Sequence, residues 1–429
     1  MKKLLSIAVL GACGAGAETI AITNARIVPI SAPTIERATI VITDGRIAAM
    51  GARAAIPAGA RRIDGTGLSV YPGWIDGWTT LGMAEIESVA GTMDTKEIGP
   101  FNPAAHAWIA VNPHSEMLKT ARVNGVTTAL VAPAGGIISG TASALNLFGM
   151  YPKDMLVLGD AGVMITLPSL YQAQRRERGE TGPPPTLENR RRQVARDMER
   201  LKQYLREAKA YAEMRARGGP DAARDTSLEA MAPVMRGERP AIITANHFRD
   251  IRTAVDLAQE FGLKLIIAGG ADAWKVADLL KEKNAGVLYA AVHALPRSQE
   301  DPYDVGFTTP EALRRAGVRF AIVTGSDWNV RNLPYQAAMA AAYGLEREDA
   351  LKAITLWPAE LLGISDKVGS LEVGKLANVL VSRGDPLDVR SEVRYVFIEG
   401  RQVPFESRNK ELYEEFRQLS SPARATESR

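Results

Sequence analysis

Four histidines, His106, His114, His247 and His293, are the side chains of this sequence best suited to hold a metal ion or carry a proton at neutral pH. Their spacing makes no ligand pair. None stands two residues from another, as two metal-binding histidines on one strand would, and none sits in a His-Glu-x-x-His helix. His247, just past an apolar run, is the best placed for chemistry. One cysteine, Cys13, excludes a disulfide framework and any cysteine-based zinc or iron–sulfur site. Glu85 with Glu87 and Asp94 with Glu97 offer paired carboxylates, which in principle do metal-free acid–base work; solvated loop acids are the simpler reading. There is no Gly-x-Ser-x-Gly elbow, no phosphate-binding Gly-x-x-x-x-Gly-Lys and no dinucleotide fingerprint.

The elements that must position these residues come from 429 residues, 46% hydrophobic and 24% charged, which is the balance of a protein with a large core. A net charge of +3 argues against nucleic acid as a partner. Met1-Lys2-Lys3, the apolar run Leu4 to Leu10 and Ala15-Gly16-Ala17 read as a signal peptide over residues 1–17, too short to span a bilayer. The expected location is therefore periplasmic or extracellular. Leu10-Gly11-Ala12-Cys13 also resembles a lipobox, so the expected membrane contact is limited to a lipid on Cys13.

Residues 18–70 read as short strands, with Asp44-Gly45 as a two-residue hairpin turn and Asp64-Gly65-Thr66-Gly67 as a second hairpin-like signal. From Tyr71 strands alternate with helices. Thr127 to Val131, Ala241 to Ala245, Lys264 to Ala268, Val287 to Val292 and Val318 to Thr324 are buried-strand candidates, and Arg249 to Phe261 and Ala273 to Lys283 are helices between them. Such repeated β–α units predict parallel strands, about eight of which close into a barrel. Residues 187–217 form a long helix with Val194, Met198, Leu201, Leu205, Ala208 and Ala212 on one face. Ten Lys or Arg and five Asp or Glu lie elsewhere along it, a surface for solvent or for a partner. Strands return after Gly363 and turn at Glu399-Gly400; residues 405–429 form a charged tail.

The chain is similar to the amidohydrolase superfamily, most of all to imidazolonepropionase-like amidohydrolases, over nearly all of residues 20–404. The words that carry the resemblance flank the barrel: Ile63-Asp64-Gly65-Thr66-Gly67 and Pro72-Gly73-Trp74-Ile75-Asp76 before it, then Pro358-Ala359, Leu362-Gly363-Ile364, Val368-Gly369-Ser370-Leu371-Glu372-Val373-Gly374-Lys375 and Gly384-Asp385-Pro386-Leu387 after it. The resemblance implies an α/β fold: a (β/α)8 TIM barrel over residues 71–367 and a small β-sandwich built from both terminal segments, 18–70 and 368–404.

In that family zinc or a similar divalent ion lowers the pKa of bound water to about 7, and the hydroxide attacks a C–N centre. The ligands come from the strand ends at the barrel mouth. Carried over position by position, the His-x-His pair after strand one is Trp78 and Thr80, and the bridging Lys or Glu of a middle strand is Asn146. The strand-five His is Thr244, with Asn246 and His247 following, and the strand-six His is Gly269. Asp327, in Thr324-Gly325-Ser326-Asp327, matches the proton-carrying Asp; Trp78, with Trp328 beside Asp327, would fill the space of the ion. The expectation is that no metal and no other cofactor is held. Two functions follow. The first is an amidohydrolase-like pseudoenzyme, with a small-molecule ligand in the barrel mouth, or acting as subunit of an active paralogue or of a homo-oligomer. The second is a hydrolase of cyclic amide or amidine C–N bonds working through Asp327 and His247.

Overall fold

Asp44 and Gly45 take φ of 50° and 76°, the left-handed pair that a two-residue turn needs between twisted strands. In the computed structural model, which describes residues 18–86, 88–171, 185–218 and 224–419, this turn joins β2 (Ile35–Thr43) to β3 (Arg46–Gly51). β1 (Ile20–Ile27) pairs antiparallel with β2. β4 (Arg61–Asp64) and β5 (Ser69–Pro72) both run parallel to β1, one after the other. The signal at Asp64 is thus no hairpin. Asp64 Oδ1 accepts from Thr66 N at 3.2 Å and Thr66 Oγ1 at 2.8 Å, an Asx turn that kinks one edge without reversing it.

The barrel strands are β6 (Trp74–Thr79), β7 (Val126–Val131), β8 (Ile138–Asn146), β9 (Leu156–Thr166), β10 (Ala241–Ala245), β11 (Leu265–Gly269), β12 (Gly286–Tyr289) and β13 (Phe320–Ile322), neighbours in chain order. The expected barrel of parallel β–α units is corrected at one strand. β8 runs antiparallel to both β7 and β9. Only residues 132–137 separate β7 from β8, whereas a parallel crossover takes about a dozen residues or more. Leu130, Ala142, Met164, Ile242, Ile266, Leu288 and Val323 fill the interior. The chain then returns through β14 (Val379–Arg383), β15 (Glu392–Ile398) and β16 (Arg401–Gln402). β14 pairs antiparallel with β5, so both terminal segments share one sheet. Glu399 and Gly400, at φ 48° and 70°, form its last turn.

Helix α1 (Glu116–Arg122) follows the long loop after β6. α2 (Leu187–Ala216) and α3 (Thr226–Met235) lie between β9 and β10, and α4 (Phe248–Phe261) follows β10. α2 buries Leu201, Leu205, Ala208 and Ala212 as its spacing predicts, while Val194 and Met198 are half-buried. Six of its ten flanking cations already face carboxylates: Arg192, Arg200, Lys202, Arg206, Arg215 and Arg217. The leader, with Cys13, lies outside the described residues, and no described helix is long and apolar enough to cross a membrane.

Candidate functional site

β6 and β13 are the two ends of the barrel sheet and share no backbone ladder. A carboxylate joins them. Asp76 is fully buried; its Oδ1 accepts from Thr324 N at 3.1 Å and Trp78 N at 3.3 Å, and its Oδ2 meets Thr324 Oγ1. Gly325 N donates to Trp78 O at 3.1 Å, and Thr79 Oγ1 donates to Ser326 O at 2.9 Å. Thr324 Oγ1 also lies 3.1 Å from Ser326 O. Its single hydrogen cannot serve both acceptors, so a protonated Asp76 completes the set by donating to Thr324. Burial pushes the Asp76 carboxyl up to about 7, against the lowering effect of these bonds.

This seam fixes the turn that carries Asp327, which is 7% exposed and accepts from Trp328 N at 2.8 Å. Trp78 packs against the apolar interior of the barrel, and Thr80, half-buried, accepts from Met83 N through its carbonyl. Trp328 does not share the interior with Trp78. It is 43% exposed, because its backbone N–H caps the Asp327 turn at the rim and leaves the ring outside.

At the mouth of β10 the Thr244 hydroxyl lies 3.5 Å from Ile165 O. Asn246 Oδ1 accepts from Ala271 N at 3.4 Å, and its carbonyl accepts from Asp272 N at 2.9 Å. That side chain stands beside Gly269. A Cβ added to Gly269, whose φ is +104°, would lie 2.5 Å from Asn246 Oδ1. His247 is the N-cap of α4: its Nδ1 accepts from Arg249 N at 3.2 Å, which places the neutral ring's proton on Nε2. The ring stacks on Tyr171 at 4.0 Å, and burial lowers its pKa against the raising effect of Asp272 and Asp250. His247 and Asp327 follow strands three steps apart in the sheet, about 14 Å along the wall at ~4.8 Å per step. No hydrogen bond or ion pair links them among the described residues.

Asn146 is not at the mouth. Because β8 runs the opposite way, its last residue lands on the barrel floor, opposite Thr128. There Asn146 Oδ1 accepts from Asn378 Nδ2 at 2.7 Å and Thr128 Oγ1 at 3.1 Å, while Nδ2 donates to Glu399 Oε1 at 2.9 Å. Asn378 Oδ1 in turn accepts from Glu399 N at 3.0 Å. The set clamps the barrel to the terminal sheet. Asn146→Leu is expected to cost about 2–4 kcal/mol, read as a lower urea midpoint, since it strands several buried polar groups; a loss below about 1 kcal/mol would contradict the clamp.

The remaining histidines stay apart. His106 Nδ1 lies 3.0 Å from Asp160 Oδ1, too poorly aligned for a hydrogen bond. His114 and His293 sit in loops. Glu85 accepts from Asn112 Nδ2 at 3.1 Å, Asp94 and Glu97 are exposed, and Glu87 lies outside the described residues. Among the described residues no three His, Cys, Asp or Glu side chains group as a metal site.

Residues 71–403 match the amidohydrolase family. The chain belongs to it. The chain is similar to the solved amidohydrolase of Thermotoga maritima, with 27% identity, a TM-score of 0.76, and coverage of 90% of this chain and 99% of that one. It is 22% identical to the amidohydrolase tasK of Hapsidospora irregularis over 85% of this chain. It is 30% identical to the imidazolonepropionase of Maricaulis maris over 33% of this chain. The chain spans 39% and 35% of the lengths of these two curated relatives. The amidohydrolase barrel and its small β domain, expected from the flanking words, are both present. Asp76 was visible only as part of a scaffold word. Its signal is a carboxylate inside a strand otherwise buried and apolar, and the role of Thr324 as its partner follows only from the closed barrel.

Proposed function

We propose that this amidohydrolase-family protein is an exported, metal-free member that lacks the family's water-activating centre and acts as a ligand-binding or partner subunit. The partner is an active paralogue or a second copy of the chain. One observation carries the reading: at the mouth of β11 the backbone has φ +104° and the Asn246 side chain stands where a Cβ would be, so the position of the family's strand-six ligand admits glycine. Trp78 and Thr80 add no ligand of the Cys, His or carboxylate kind that zinc takes. The donor set therefore does not fit the family's ion. The basic start, apolar run and small-residue site of residues 1–17 support export.

Metal analysis of the purified full-length protein tests this. It is expected to show no stoichiometric metal, and one or two equivalents of tightly bound zinc, iron or manganese overturns the reading. A second reading, a hydrolase of cyclic amide or amidine C–N bonds, is favoured by the seam that holds buried Asp327 in place with one oxygen, Oδ2, in no hydrogen bond among the described residues. It requires turnover that disappears in both Asp327→Ala and His247→Ala.

A further inference from the structure

We propose that a cavity on the flank of the barrel, between α3 and the outer faces of β8 and β9, binds a small organic carboxylate, with Arg239 as the residue that receives the carboxylate. The cavity encloses about 470 Å³, within the range of small-ligand pockets. It is walled by the barrel strands on one side, by α3 on another, and by Arg239 where the chain enters β10. It is distinct from the barrel mouth and does not depend on the functional reading given there.

Two carboxylates, Asp160 and Glu229, and two arginines, Arg224 and Arg239, line it, but they are not equally answered by the surrounding protein. The Asp160 carboxylate makes no hydrogen bond among the described residues, since His106 Nδ1, 3.0 Å away, is too poorly aligned. Glu229 accepts from Tyr211 Oη at 2.8 Å and faces Arg215 at 3.5 Å. Glu229 is therefore answered by protein groups, and Asp160 is the one acid left open. Arg239 is half-buried, and its guanidinium makes no hydrogen bond or ion pair among the described residues; only its backbone N–H is used, by Pro233 O at 3.2 Å. The neighbouring carboxylate, Glu238, is taken by Arg236 through two bonds of 2.6 and 3.0 Å. Arg224, exposed at the same cavity, adds a second cation. Among the described residues Arg224 and Arg239 thus face one open acid, Asp160.

The Arg239 guanidinium has no protein acceptor among the described residues, and its planar fork of donors matches a carboxylate through two parallel bonds. The rest of the wall includes Val163, Ala230, Pro233 and Val234. That apolar surface favours a carboxylate with a short hydrocarbon body over a bare inorganic anion, which would leave it wet.

Calorimetric titration of the full-length protein with sodium valerate, valeramide and sodium phosphate tests this. Saturable valerate binding is expected, with valeramide and phosphate at least tenfold weaker. Arg239→Gln should weaken valerate binding at least tenfold. Ala230→Trp, which fills the cavity and keeps Arg239, should do the same, and Asp327→Asn should leave it unchanged. Circular dichroism melts check that the variants fold; if one does not, the other and the valeramide comparison still decide. The proposal is overturned by no saturable valerate binding, by phosphate or valeramide binding as well as valerate, by binding that survives in a folded Arg239→Gln or Ala230→Trp protein, or by binding lost in Asp327→Asn.

Discussion

Asp76→Ala is expected to destabilise the protein by about 3–5 kcal/mol and to open the barrel between β6 and β13. Each buried donor left without an acceptor costs about 1–3 kcal/mol, and two depend on this carboxyl, Thr324 N and Trp78 N, while the Thr324 hydroxyl oxygen loses the donor that the protonated Asp76 supplies. No ladder between the two strands compensates. Asp76→Asn separates the role of shape from that of charge. Its amide oxygen still accepts the two backbone N–H groups, and its amide nitrogen donates to Thr324 Oγ1 as a protonated Asp76 does, so stability near pH 5 should stay within about 1 kcal/mol of the wild type. The pH dependence should differ. With a native pKa of about 7 and an ordinary carboxyl value of about 4 once unfolded, the native protein keeps a proton that the unfolded chain has lost. Stability from this group is then complete below about pH 4 and is lost as pH rises through 7. Urea unfolding at pH 5 and pH 8 reads the effect: the wild type should lose stability across that interval, and Asp76→Asn should lose less. Equal slopes would mean that Asp76 is ionised throughout.

The seam also marks where the sequence stops being readable. Local chemistry announces the Asp44-Gly45 turn, because two positive φ angles need those residue types, and the α2 stripe, because its period matches a helix. The same local reading mistook Asp64-Gly65-Thr66-Gly67 for a reversal, since an Asx turn uses the same residues whether or not the chain folds back. It also placed Asn146 at the mouth. Strand direction is set by connection length, and the six residues 132–137 carry that information without any motif. The direction of β8 then decides whether Asn146 meets a ligand or the terminal sheet. Asp327 and His247 were legible as strand-end residues. Their separation was not, because it depends on how many strands stand between them. His247 is moreover occupied as a helix cap, a role that its position before Phe248 permits but does not dictate.

Gly269→His, which restores a histidine at the strand-six position of the family, is expected to destabilise the protein by about 3 kcal/mol or more rather than to recover a ligand. Two costs add. The φ of +104° is one that side-chain-bearing residues rarely adopt, at about 1–3 kcal/mol. The new Cβ also falls 2.5 Å from Asn246 Oδ1, and Asn246 can turn away only by giving up Ala271 N. The two are separable. Gly269→Ala carries both costs without a bulky ring. Measured against Asn246→Ala alone it carries only the backbone cost, so Gly269→Ala should cost about 1 kcal/mol less in the Asn246→Ala background than in the wild type, measured by urea midpoint. If Gly269→Ala matches the wild type, the position is free and the backbone does not bar a ligand there. If the expected penalties appear, the departure from the family's site is built into the path of the chain. A metal centre could then be rebuilt only by changing Gly269, Asn246 and the loop at Ala271 together with Trp78 and Thr80. That is a different mouth, and its stability would have to come from the bound ion, as it does wherever metal binding and folding are coupled.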